Sequence, residues 1–270
     1  MAGSDIVKVP YVGQVLAEQD AFRAAGPNIF PKAVRSVAKP VSFLTNRLIP
    51  ADVIEAAIRA ADWAASSSIR KAAIAHDFTD LEACDEAAAE VRRWALGYAV
   101  TGGGAAGAFG ALGLAIDVPA TVALALRTAR LTGLCYGFGA DTEAERTFIL
   151  DVLAVAGANS KTERDRAIER LAKERTEIGR EDWQKIVQLT GQTTGSVAAT
   201  QRVAAMLGVN LSTRKVGQVV PFVGAAIGAG VNAAFQNDVA SAARFAYRER
   251  WLMINEGIVE GTPAAVAGKN

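Results

Sequence analysis

A single histidine, His76, and only two cysteines, Cys84 and Cys135, occur in the sequence. One imidazole excludes a multi-histidine metal site and leaves any Ser–His or Cys–His mechanism resting on one side chain. His76 follows Ile69, Ala72 and Ala73 at helical spacing, so it reads as a cation at a helix C-terminus or as an exposed side chain. Two cysteines are too few for a secreted disulfide scaffold; they predict free, buried thiols in a reducing, cytoplasmic setting. No basic stretch followed by an apolar core and a small-residue cleavage site opens the chain, so no secretory signal is expected. A net charge of +1 argues against nucleic acid as the partner. Also missing are runs of alternating β-branched and polar residues bounded by hairpin turns. The fold class is therefore all-α, and no metal or cofactor is expected.

What the sequence does have is a long stretch without charge. From Trp94 to Ile116 no side chain is charged, and glycine and alanine dominate. Asp117-Val118-Pro119 interrupts the run, which then continues to Leu126. A shorter version, Val216 to Asn237, follows Arg214-Lys215 and precedes Asp238. These two Gly/Ala-rich apolar segments predict a central helical pair with a multi-helix bundle around it.

Residues 1–50 hold five of the eight prolines, which predicts an irregular N-terminal arm with short helices near Tyr11 to Ala25 and Lys32 to Ala38. A helix is expected from Asp52, with Glu55 completing a capping box and Ser66-Ser67-Ser68 ending it. From about Asp80 to Val100, Leu81, Cys84, Ala88, Val91, Ala95 and Tyr98 share one face. Asp117 reads as the N-cap of a helix over 117–137, with Pro119 in its first turn and Gly137 and Gly139 as its stop. Asp141 caps the next helix, which buries Phe148, Ile149, Val152, Leu153 and Ala156 and ends at Gly157. Lys161 to Lys185 reads as a charged, solvated surface helix with a stripe of Ile168, Leu171 and Ile178, broken near Gly179. Thr190 to Leu207 suits tightly packed helices. Asn237 onward reads as a last helix that buries Val239, Ala242, Ala243, Ala246 and Trp251 and leaves Arg244, Arg248 and Arg250 to solvent. The domain plan is an arm over 1–50, a helical domain over 51–255 and a frayed tail over 256–270.

Gly102-Gly103-Gly104-Ala105-Ala106-Gly107 satisfies the G-x-G-x-x-G pattern of dinucleotide-binding loops, yet no strand precedes it and Asp117 follows too soon. The spacing of Gly103 with Gly107, and of Gly224 with Gly228, instead places small residues on one helix face, where another backbone can approach closely. Both segments meet the ~20-residue length of a membrane span, but few of their side chains are strongly apolar. The basic pairs Arg92-Arg93 and Arg214-Lys215 precede them, which suits shallow contact with lipid from the cytoplasmic face as well as a buried pair in an ordinary bundle. Arg92, Arg93, Gly103, Gly107, Arg214, Lys215, Gly224 and Gly228 are the candidate lipid or partner contacts. Asp117 and Asn232 are the candidate structural or pocket polar residues, with a bond from Asn232 across to the first segment as one expectation. Trp94, Trp183 and Trp251 read as core or interface anchors.

Several ordered blocks resemble the EcsC family. They are Tyr98 to Gly104, Asp117-Val118-Pro119, Tyr136-Gly137, a turn at Glu145-Arg146, the run Lys215 to Asn232 with Val220-Pro221-Phe222-Val223-Gly224, and Ala243 to Trp251. The resemblance spans about residues 50–255. It implies proximity to a membrane, because the family is named for a bacterial protein encoded beside an ABC-type exporter, and it points to components of such a transporter as partners. It carries no accepted catalytic residues. The reading is a non-enzymatic, membrane-associated helical protein at the cytoplasmic face; the alternative is a soluble enzyme or ligand-binding protein with a pocket near Asp117 and a Gly102–Gly107 turn.

Overall fold

The computed structural model describes residues 5–27, 55–56, 58, 76–108, 110–139, 143–180, 200–207, 210 and 223–258. Most of the helix expected from Asp52 lies outside them, as do Asp141, Trp183, Arg214, Lys215 and the last twelve residues of the expected tail. Among the described residues there are helices and no strand. The long ones are α1 (Asp5–Ala24), α2 (Leu81–Ala108), α3 (Gly110–Cys135), α4 (Glu143–Gly157), α5 (Lys161–Arg180) and α6 (Val223–Asn255).

Local chemistry sets several of these boundaries. Asp80 caps α2, its Oδ1 accepting from the backbone N–H of Glu82 and Ala83 at 3.0 and 3.3 Å. At the end of α3, Gly137 takes φ +81°, and the N–H groups of Gly137 and Phe138 return to the carbonyls of Leu134 and Gly133. This is a Schellman closure, which a Cβ at position 137 would strain. Ser160 opens α5, its Oγ accepting from the N–H of Glu163 at 3.2 Å.

Three expectations give way. The first charge-free helix does not run to Asp117. One helix ends at Ala108 and the next begins at Gly110, so Asp117 and Pro119 lie inside α3 and not at a helix start. In the same way the described part of the second segment, from Val223, is not separate from the last helix, because α6 runs through Asp238 without a break. In the N-terminal arm the short helix expected near Tyr11 to Ala25 is a 20-residue one, Asp5–Ala24, that carries Pro10 in its second turn; the helix expected near Lys32 to Ala38 lies outside the described residues. Helix α5 reaches Arg180, and the rest of the expected 161–185 segment lies outside the described residues.

Helix α6 is the centre of the molecule. It packs against α2, α3 and α4, while α5 covers α4. Side-chain pairs show the directions. Arg92 meets Asn237 and Asp85 meets Arg248, so α2 and α6 are antiparallel. Asp117 meets Asn232 and Thr128 meets Gln236, so α3 and α6 run parallel. Where α3 packs on α6 at Gly133, a Cβ would lie 2.6 Å from the ring of the fully buried Tyr247. Gly157 is pressed against Leu207 in the same manner. The core cluster joins Val15 of α1, Ile58, Leu81 and Cys84 of α2, the α3 and α4 faces, and Phe235 to Leu252 of α6. All five residues expected to be buried in α4 belong to it, as do Val239, Ala242, Ala243, Ala246 and Trp251.

Candidate functional site

The charged residues of α6 are where the sequence reading and the structure differ most. Arg248 and Arg250, expected in solvent, are buried at 3% and 1% exposure. Arg248 donates from Nε and Nη2 to the two oxygens of Asp85, each at 2.6 Å, and from Nη1 to Glu18 on α1 at 2.7 Å. Tyr11 donates to Asp85 Oδ2 at 2.6 Å, Tyr136 donates to Oδ1, and Arg244 adds a longer bond at 3.3 Å. One turn of α6 repeats this pattern on every side. Glu249 is held between Arg23 of α1 and Arg175 of α5. Arg250 reaches Glu145 of α4 at 2.6 Å and lies over the Phe138 ring at 4.2 Å. The Trp251 indole donates to the carbonyl of Phe78 at 2.7 Å. The expected turn at Glu145-Arg146 is instead the first turn of α4.

The electrostatics follow from this saturation. Burial alone would raise the pKa of Asp85, but the hydrogen bonds and charge of Arg248 and the two phenols hold it below the ordinary carboxylate range. Burial first, then the Asp85 charge, pushes the phenols of Tyr11 and Tyr136 upward, and Tyr247 moves the same way beside Glu145. A carboxylate with every acceptor direction filled cannot take a proton from a substrate, and phenols held protonated are not nucleophiles. The hub fastens helices together. Among the described residues no group of three or more His, Cys, Asp or Glu is placed to hold a metal ion.

His76 and the two cysteines meet at the foot of the α2–α3 pair. His76 Nε2 lies 2.7 Å from the carbonyl of Cys135, in the last turn of α3. That contact is with the C-terminus of α3; the helix through Ile69, Ala72 and Ala73 that His76 was expected to end lies outside the described residues. Cys84 and Cys135 are buried free thiols, both pushed up to about 12, chiefly by burial. Such thiols are poor nucleophiles.

A second polar set lies higher in the bundle. Asn232 Nδ2 donates to Asp117 Oδ1 at 2.8 Å, and Gln236 Nε2 donates to the carbonyl of Thr121 at 3.0 Å. The Thr121 hydroxyl donates to the Asp117 carbonyl at 2.6 Å. Asp117 and Asn232 are both 4% exposed. Their carboxylate and amide are spent on each other across α3 and α6.

The upper end of α2 is different in character. Arg92 donates from Nε and Nη2 to Asn237, and Arg93 pairs with Glu90 on the surface. Just above, the rings of Trp94 and Tyr98 stand 4.6 Å apart, and the Arg127 guanidinium lies 5.2 Å from the Trp94 centroid. Tyr98 does not join the buried face. It is 59% exposed, Val100 is 50% exposed, and Ala99 continues the buried stripe in its place. Thr101 is exposed too, yet its hydroxyl bonds to the carbonyls of Gly97 and Tyr98 at 3.2 and 3.0 Å. Gly103 and Gly107 lie in the last turns of α2, and Gly224 and Gly228 in the first turns of α6. The Gly102–Gly107 segment is helix, not a turn, so it has no looped backbone with which to cradle a phosphate.

Asp85, Glu145, Arg248 and Tyr98 were not singled out in the sequence as site residues. Glu145 carried one signal, its place in a block of the family pattern, and the block Ala243 to Trp251 carried another. Neither names a partner. No curated protein and no solved structure matches the chain. The family model does match, and it begins inside α1 rather than near residue 50: over residues 14–252 the chain belongs to the EcsC protein family.

Proposed function

We propose that this protein is a non-enzymatic, membrane-associated helical protein that meets lipid with the charge-free end of its bundle. The observation that carries the reading is the outward-facing set at that end. Tyr98 and Val100 are exposed, and Trp94 touches both the Tyr98 ring and a cation, Arg127. Aromatic rings beside arginines are the chemistry of a membrane–water interface. Above them the sequence offers no charge until Asp117. Among the described residues no helix is long and apolar enough to cross a membrane, which favours contact from one side. Components of an ABC-type transporter are the protein partners that the family resemblance suggests for a chain at this location. An enzyme with a pocket at Asp117 finds less support, because that carboxylate is buried and already accepts from Asn232.

The test is co-sedimentation of the full chain with vesicles of phosphatidylcholine and phosphatidylserine. The bound fraction is expected to be substantial at low salt and to fall as salt rises, because surface attraction to arginines is screened. Recovery of all the protein in the supernatant at low salt would defeat the reading.

A further inference from the structure

We infer that the upper end of the bundle enters a single leaflet as a blunt helical plug and does not lie flat on the surface. This inference rests on the membrane reading above and adds a depth and an orientation to it. Helices α2 and α3 run antiparallel and parallel to α6, so heights along the three can be compared.

From Tyr98 to the top of α2 at Ala108, an α-helix rises about 15 Å at ~1.5 Å per residue. Half the hydrocarbon core of a bilayer is also about 15 Å. Trp94, with Arg127 over its ring, stands about 6 Å below Tyr98 by the same rise. That is roughly the thickness of one headgroup layer. Arg92 and Arg93 follow immediately beneath. Tyr98 therefore stands at the boundary of the acyl chains, Trp94 and Arg127 among the headgroups, and the basic pair in water. Helix α6 reaches the same height. Its first residue, Val223, lies about 13 Å above Asn232, which is level with Asp117 on α3.

Two side chains within the proposed depth behave as burial in hydrocarbon demands. Asp117, about 10 Å below the start of α3, is the one charge among the described residues there. It is turned inward onto Asn232 and is 4% exposed. An ionisable group at membrane depth is expected to face the bundle interior with a partner. Thr101, whose side chain is exposed, gives its hydroxyl to its own helix at the Gly97 and Tyr98 carbonyls. That arrangement leaves no donor in need of water.

The buried Cys84 and Cys135 make the test direct, because an introduced cysteine can be labelled selectively. Single variants Glu86→Cys, Tyr98→Cys and Ala105→Cys would carry an environment-sensitive dye on the full chain. Circular dichroism would confirm that each variant is folded. On vesicles of phosphatidylcholine and phosphatidylserine, the dye at 105 is expected to be quenched by lipids labelled deep in the acyl chain. The dye at 98 is expected to be quenched by lipids labelled near the headgroup, and the dye at 86 by neither. Quencher confined to the vesicle lumen should reach none of them. If the chain co-sediments but positions 86, 98 and 105 respond alike, the plug is wrong while membrane association stands. Access to position 105 from the lumen would mean that the end spans the bilayer, which also overturns the inference. Absence of vesicle binding overturns both.

Discussion

Asp85 and Arg248 face each other across α2 and α6 in a two-pronged pair, Nε to Oδ1 and Nη2 to Oδ2 at 2.6 Å each. Neither side chain is more than 4% exposed. Removing one partner leaves a buried charge without its complement, which costs about 3–5 kcal/mol. Asp85→Ala and Arg248→Ala are each expected to lower unfolding free energy by roughly that amount. A double-mutant cycle in chemical denaturation should show the two losses to be strongly non-additive.

The same carboxylate sets an acid limit. The folded-state pKa values of Asp85 and Glu18 are lowered: burial opposes the shift in each, and the Arg248 hydrogen bond leads the groups that outweigh it. A depressed folded value contributes stability that is complete above the unfolded value, near 4, and is lost as pH falls through the folded one. Midpoints of urea denaturation should be flat above that range and decline below it. Asp85→Asn should flatten the decline while starting from a lower plateau.

The thiols report on opening. With both pushed up to about 12 by burial, Cys84 and Cys135 should ignore a thiol reagent such as dithionitrobenzoate at neutral pH in the native state. Two equivalents should react once denaturant unfolds the chain. Prompt reaction of either in buffer would contradict the packing at the foot of α2 and α3.

Gly133→Ala should be costly although alanine favours helices. The new Cβ would lie 2.6 Å from Cζ of Tyr247, and that ring is fully buried against Phe148 and Phe138. Overpacking of this kind costs about 1–3 kcal/mol. A Tyr247→Phe background relieves part of the clash, because the hydroxyl oxygen, at 2.8 Å, is one of the atoms met. Thermal unfolding of the single and double variants would show whether the losses compensate.

Asn232→Ala removes the amide that donates to Asp117 and should destabilise by about 1–3 kcal/mol, the penalty for an under-satisfied buried acceptor. Asp117→Asn keeps an acceptor oxygen and should lose less. Equal losses, measured by denaturation, would mean that the bond carries no specific weight.

Much of the architecture is written in local pattern. Apolar spacing marks the buried faces of α4 and α6, and Gly137 marks the end of α3, because each depends on neighbours within a few residues. What escapes that pattern is long-range. Asp117-Val118-Pro119 looks like a helix start because aspartate caps and proline suits a first turn. Here the carboxylate serves a partner 115 residues away, and the helix passes through. Arg248 and Arg250 look like surface charges because their carboxylates stand 163 and 105 residues distant. Periodicity reports which face is apolar; it cannot report that a charged face will find its complement. At the candidate lipid-facing end, the charge-free run and the basic pair are visible in sequence. The outward set of Tyr98, Val100 and Thr101 is not, since a helix of this composition could have buried any of its faces.

The turn from Arg248 to Trp251 also bears on the order of folding. It fastens α1, α2, α4 and α5 to α6, and its partners reach back 226 residues to Arg23. Contacts so distant in sequence close slowly, because the loop between them must be ordered first. On the ribosome, α1 to α5 emerge with Asp85, Glu145 and Arg175 still lacking their α6 partners. Chains halted before residue 223 are expected to remain loose and protease-sensitive, and to tighten only when α6 is supplied. The helix synthesised last among those described is the one on which the others close.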